Sequence, residues 1–148
     1  MPVIKVRIEG ADEVIRALRK VPADAQAAMK HEAKDIATSL ADFMKADARG
    51  HSRQAARASR SVREANQGFW PVITADNRSK LLFGSVFGMK RHSGWYAKRR
   101  YAGSAGEQFG PWIGFPGYWF FSSAEERQPW IESEWHKAAD EVVHRWGA

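Results

Sequence analysis

Near the end of the chain, Glu132, His136, Asp140 and His144 follow one another at steps of four. On a helix this spacing sets imidazoles and carboxylates along one slowly drifting face, and such groups can hold zinc. The four positions span about three turns, however, whereas one ion takes ligands about one turn apart. The same spacing gives ordinary ion pairs on a solvated face, and the series is expected to be such a face. Little else has catalytic spacing. H-E-x-x-H, G-x-S-x-G and G-x-x-x-x-G-K-[ST] are absent. Gly84-Ser85-Val86-Phe87-Gly88 and Gly114-Phe115-Pro116-Gly117 lack the lysine and the strand–helix setting of a phosphate cradle, and read as turns. His31-Glu32 and Glu125-Glu126 read as helix surface. Neither catalysis nor a metal or other cofactor is expected.

Binding is better provided for. Of the seven tryptophans, Trp135 and Trp146 fit a helical core stripe, and Trp70 is a further core candidate. Trp95, Trp112 and Trp119 instead lie in or beside a glycine-rich stretch with Tyr96, Tyr101, Phe109, Phe115 and Tyr118. Rings of this kind dominate protein interfaces, and interleaved with Arg they can also stack on single-stranded bases. Interface burial is preferred, because 148 residues cannot easily hide so many rings. Arg53, Arg57, Arg60 and Arg63 with Lys98-Arg99-Arg100 supply cations for phosphates or for an acidic partner.

The elements that must position these groups follow from the patterning. Residues 3–8 alternate with β-branched content and predict a short strand, ended by Gly10. Asp12 and Glu13 open a helix whose apolar face is Val14, Ile15 and Leu18. Pro22 suits the first position of a long helix over residues 23–48, with Met29, Ala33, Ile36, Leu40 and Phe43 inward and Gly50 at its end. Residues 51–63 read as a basic mobile arm or frayed helical extension, on which Arg53, Arg57 and Arg60 would share a face if helical. Residues 61–65 and 69–75 read as strands joined by Asn66-Gln67-Gly68, with Pro71 requiring an edge or a strand start. Residues 81–87 read as a third strand, and Tyr118-Trp119-Phe120-Phe121 as a buried one. Residues 88–117, with seven glycines and two prolines, read as a long functional loop that orders on assembly. Ser122 and Ser123 stand three residues before Glu125 and Glu126, a capping-box spacing. A last helix starts near Gln128 with Pro129 at its first position and Ile131, Trp135, Ala138, Val142 and Trp146 inward.

Charge is unevenly placed. Residues 1–48 balance eight Lys/Arg against eight Asp/Glu; residues 49–101 carry twelve against two, a net +10; residues 102–148 carry three against seven, a net −4. A basic block beside an acidic one fits complementary docking between copies, or a surface that faces nucleic acid. Cysteine is absent, which removes disulfides and thiolate metal sites. Neither a secretory leader nor a membrane-spanning run of about 20 apolar residues is visible, so a soluble product made in the cytoplasm is expected. The length fits a single domain, α+β in class, with a small antiparallel sheet packed on the long helix.

Taken in order, the layout resembles a known family. Strand and glycine lead to the Asp12-Glu13-Val14-Ile15-Arg16-Ala17-Leu18-Arg19-Lys20-Val21 helix, a proline-led long helix, a basic arm and Phe83-Gly84-Ser85-Val86-Phe87-Gly88. Gln108-Phe109-x-Pro111-Trp112-x-Gly114, then Gly117-Tyr118-Trp119-Phe120-Phe121 and an amphipathic helix complete it. This is similar to the tail-completion or head–tail joining proteins of siphophages, particularly those of actinobacteriophages. The chain departs from that pattern at Ser52-Arg53-Gln54-Ala55-Ala56-Arg57, where many relatives carry T-G-x-L. The resemblance implies a virion protein of the neck, assembled in the host cytoplasm into a ring, commonly of six copies. Its partners would be the connector or head-closure protein and the tail tube or tail terminator, with double-stranded DNA passing through the lumen and no membrane. Under it, Trp95, Tyr96, Tyr101, Phe109, Trp112, Phe115 and Tyr118 are subunit-interface candidates. Arg53, Arg57, Arg60, Arg63, Lys98, Arg99 and Arg100 are lumen-facing or partner-facing candidates. A tail terminator or head-closure protein at a neighbouring level, or a basic nucleic-acid-binding module, are the alternatives.

Overall fold

Alternating β-branched residues open the chain as strand β1 (Val3–Lys5), and Gly10, at φ +74°, turns it into helix α1 (Ala11–Leu18). The computed structural model describes residues 3–76, 81–89 and 109–146. Helix α2 (Ala23–His51) is the spine of the molecule. It buries Met29, Ala33, Ile36, Leu40 and Met44 with small Ala37, Ala41 and Ala48 between them, a stripe of threes and fours that lets other elements approach closely. Pro22 stands one residue earlier than its sequence position predicts, as the N-cap, and its carbonyl accepts from the Ala25 and Gln26 N–H groups at 3.0 and 3.1 Å. Phe43, assigned inward from spacing, sits at the edge of the stripe, because the helix drifts and Met44 takes the inner place.

Strands β2 (Arg63–Gln67) and β3 (Trp70–Thr74) complete an antiparallel sheet in the order β1-β3-β2. Gln67 pairs with Trp70, so the hairpin turn is Gly68-Phe69 rather than Asn66-Gln67-Gly68, and the positive φ of the tight turn falls on Gly68 at +67°. Pro71, expected at an edge, stands in the central strand. The Val6 N–H donates to the Pro71 carbonyl at 3.0 Å, so the imide nitrogen also faces β1. The register sets Val6 opposite Pro71, where the proline has no N–H to return a bond to the Val6 carbonyl, and the paired residues of β1 end at Lys5 opposite Val72. Ile4, Val6 and Ile73 join the core beneath α2.

Four further expectations need correction. Residues 51–63 are no loose arm: α2 runs through Gly50 to His51, and Ser52 then breaks the helix in extended backbone. The Ser52 Oγ accepts from the Ala55 N–H at 3.0 Å, which caps helix α3 (Arg53–Ala58), and a 3₁₀ turn (Ser59–Ser61) leads into β2. Ala55, Ala58 and Ser59 are buried, so the small residues that looked featureless are the packing face. The expected third strand is helix α4 (Leu82–Phe87), with Leu82, Ser85 and Val86 inward at spacings of three and four. The expected aromatic strand belongs to helix α5 (Phe120–Glu126), with Trp119 as its N-cap. Ser122 and Ser123 lie inside that helix and do not cap the next.

Helix α6 (Gln128–Trp146) closes the core with Ile131, Trp135, Ala138, Ala139 and Val142. Trp146, assigned to the core from its spacing, is exposed at the last turn, with Arg145 over its ring. The architecture is α+β, a three-stranded antiparallel sheet and a C-terminal helix packed against one long helix. Among the described residues, no helix is long and apolar enough to cross a membrane.

Candidate assembly interface

Helix α4 has two faces. The inner one is fixed by Trp119, whose indole N–H donates to the Ser85 Oγ at 3.2 Å while that hydroxyl donates to the Leu82 carbonyl at 2.9 Å. The outer one carries Phe83 and Phe87, one turn apart, with parallel rings 6.4 Å between centroids. Residues 109–117 are laid against the end of this helix by backbone bonds: Met89 N–H to the Gly110 carbonyl, Ile113 N–H to the Phe87 carbonyl and Tyr118 N–H to the Val86 carbonyl.

Glycines allow that close approach. A β-carbon on Gly88 would stand 2.0 Å from the Pro111 oxygen, and one on Gly117 2.3 Å from the Val86 oxygen. Both residues also have positive φ.

The result is a row of rings at the surface. Phe87 lies 5.8 Å from Trp112 and 5.8 Å from Phe121, and Phe115 lies 5.2 Å from Phe121. Phe115 is 68% exposed, Trp112 and Ile113 52% each and Phe83 48%. Scattered single apolar residues on a surface need no explanation; a contiguous row of large ones on a fixed backbone marks a contact surface.

Other candidates stand elsewhere. Phe109 is buried against Gly84, where an added β-carbon would come within 2.9 Å of its ring, so it belongs to the joint beneath the ledge. Tyr118 is half-buried; its hydroxyl donates to the Pro111 carbonyl at 2.6 Å and its ring stacks on His51 at 4.7 Å. Both residues position the ledge rather than form its outer surface. Trp95, Tyr96, Tyr101, Lys98, Arg99 and Arg100 lie outside the described residues. So does much of the loop expected over residues 88–117, whose described parts, residues 88–89 and 109–117, are tied down within the single chain. Arg53, Arg57, Arg60 and Arg63 are all exposed, and none of the four forms an ion pair among the described residues.

Sequence spacing missed Phe83, Phe87 and Phe121, because the segments holding them were assigned as strands. Read at helical spacing, Phe83 and Phe87 fall one turn apart and would have been found.

The Glu132, His136, Asp140, His144 series is split by its partners. Glu132 accepts from the Glu9 N–H at 3.3 Å and from the Gln128 side chain at 3.1 Å. His136 Nε2 lies 2.7 Å from the Glu9 carbonyl, which requires the proton on that nitrogen. These bonds fasten α6 to the turn before α1. Among the described residues, no three His, Asp or Glu side chains converge as metal ligands.

No family model, curated protein or solved structure matches the chain.

Proposed function

We propose that this chain is a structural subunit of the neck of a long-tailed bacteriophage, acting without catalysis. Copies associate into a ring that joins the capsid connector to the tail tube and leaves a lumen for DNA. The observation that carries this is the surface row of exposed Phe83, Trp112 and Phe115, linked by half-buried Phe87 and Phe121, on a backbone fixed by hydrogen bonds. A preorganised aromatic surface loses little entropy on binding, which suits repeated subunit contacts. The order of sequence motifs that resembles the siphophage joining proteins supports the same reading, as does the division of charge into a +10 and a −4 segment. Heterologous contacts close into a ring when the rotation per subunit divides a full turn. Tail-terminator and head-closure proteins act at neighbouring levels of the same neck, and the described residues are compatible with either.

A second reading is favoured by one observation: exposed Arg53, Arg57, Arg60 and Arg63 without ion-pair partners among the described residues. A basic module that binds nucleic acid would use them on phosphates, with affinity that falls steeply as salt rises. Electron microscopy of the purified chain, with and without tail tubes, separates the two. Closed rings, free or seated on tube ends, are expected. Particles that stay single while duplex DNA is bound tightly and salt-dependently would replace the neck assignment with the second reading.

A further inference from the structure

A second surface lies at the other end of α2. Arg16, Arg19 and Lys30 rim a hollow of about 540 Å³ whose floor is Ile15, Phe69 and Trp70. Asp12 is the one carboxylate on its rim, and none of the three cations forms an ion pair among the described residues. Lys30 Nζ stands 5.5 Å over Phe69, and Lys5 Nζ 5.2 Å over Trp70, so the aromatic floor sits in a positive field.

The aromatic ledge has the opposite character. Phe115, its most exposed ring, packs on Phe121, and one helical turn beyond Phe121 stands exposed Glu125, followed by exposed Glu126. It is an apolar knob with an acidic rim, matched to an apolar hollow with a cationic rim.

One molecule cannot join the two. Lys30 marks the hollow near the start of α2, whereas His51, the last residue of α2, stacks on Tyr118 beside the ledge. The 21 residues from Lys30 to His51, at about 1.5 Å each, set the surfaces roughly 30 Å apart on a continuous helix.

We infer that the Phe115–Phe121–Glu125 knob of one copy docks into the Arg16–Arg19–Lys30 hollow of the next, a head-to-tail contact. This deepens the ring assignment, and rests on it, by naming the two faces that meet. Opposite charge across the contact fixes register and excludes knob-to-knob pairing, where glutamates would face each other. A duplex is disfavoured as the occupant, because its phosphates lie on a convex surface whereas these cations rim a concavity.

The test uses three full-length proteins: wild type, a hollow variant (Arg19→Ala with Lys30→Ala) and a knob variant (Phe115→Ala with Glu125→Ala). Mass is measured by light scattering after size exclusion, and circular dichroism reports retention of fold. Wild type is expected to form higher oligomers and each variant alone to be monomeric. An equal mixture of the two variants is expected to form a dimer and nothing larger, because one native hollow then meets one native knob. Variants that are folded and assemble like wild type, or a mixture that stays monomeric, overturn the contact while leaving the ring itself standing. A monomeric wild type overturns both.

Discussion

Single glycines set the geometry of the ledge, and their surroundings predict opposite responses to the same substitution. At Gly88 an alanine would meet the Pro111 oxygen at 2.0 Å and hold a φ of +80°. Gly88→Ala should therefore cost about 2–4 kcal/mol in denaturant unfolding, by clash and by backbone strain. Gly50 lies inside α2 with nothing within 4 Å of an added β-carbon. Gly50→Ala should stabilise by about 0.5–1 kcal/mol, the ordinary gain of alanine over glycine within a helix. Equal effects at the two sites would contradict the packing of residues 109–117 on α4. A third residue joins three elements: the Arg127 guanidinium lies 4.4 Å over the Phe43 ring and 3.5 Å from Asp47, at the junction of α5 and α6 with α2. Phe43 in turn meets the Trp130 ring edge-on at 5.4 Å. Arg127→Met should cost about 1–2 kcal/mol, less than for a fully buried pair because both partners keep some solvent. A melting temperature unchanged by the substitution would show that the cluster is incidental.

At the scale of elements, Ser52 divides α2 from α3, and Ser52→Ala should cost about 1 kcal/mol through the lost N-cap. Its effect is readable by chemical denaturation, and a neutral result would mean that α3 is held by its buried alanines alone. This is also where sequence and structure part. The long helix, the hairpin and the final helix were legible, because their apolar stripes run for several turns or alternate between turn residues. Residues 53–58 were not: Ala55 and Ala58 pack as well as larger side chains when α2 presents small residues to them, but alanine carries little periodic signal. Residues 82–87 and 120–126 fail for a different reason. Each is a helix of two turns or less, and a short apolar run fits either period. Neighbours decide it: the Ser85 hydroxyl and the Trp119 indole bond to each other, and Gly84 admits the Phe109 ring. Trp112 and Phe115 were legible as candidate interface residues from composition, whereas Phe83 and Phe87 needed the helix to bring them beside Trp112. The Arg16–Arg19–Lys30 hollow was not legible at all, since it is assembled from α1, α2 and the hairpin turn.

For the whole molecule, rings are spent in two ways. Trp119, Phe120 and Trp135 are almost wholly buried and stabilise the monomer, each by about 1.5–3 kcal/mol from area alone. Phe83, Trp112 and Phe115 remain outside, on a backbone already fixed, and in the proposed ring a neighbouring copy would bury them. The proposed contact pairs oppositely charged rims around apolar centres, so added salt should weaken assembly without abolishing it. Sedimentation velocity of the wild-type chain against a Trp112→Ser, Phe115→Ser double variant reads whether these exposed rings hold copies together. A closed oligomer of discrete size is expected for wild type and a folded monomer for the variant. A wild-type chain that sediments as a monomer across the accessible concentration range, or a variant that assembles as wild type does, would contradict the proposed assembly.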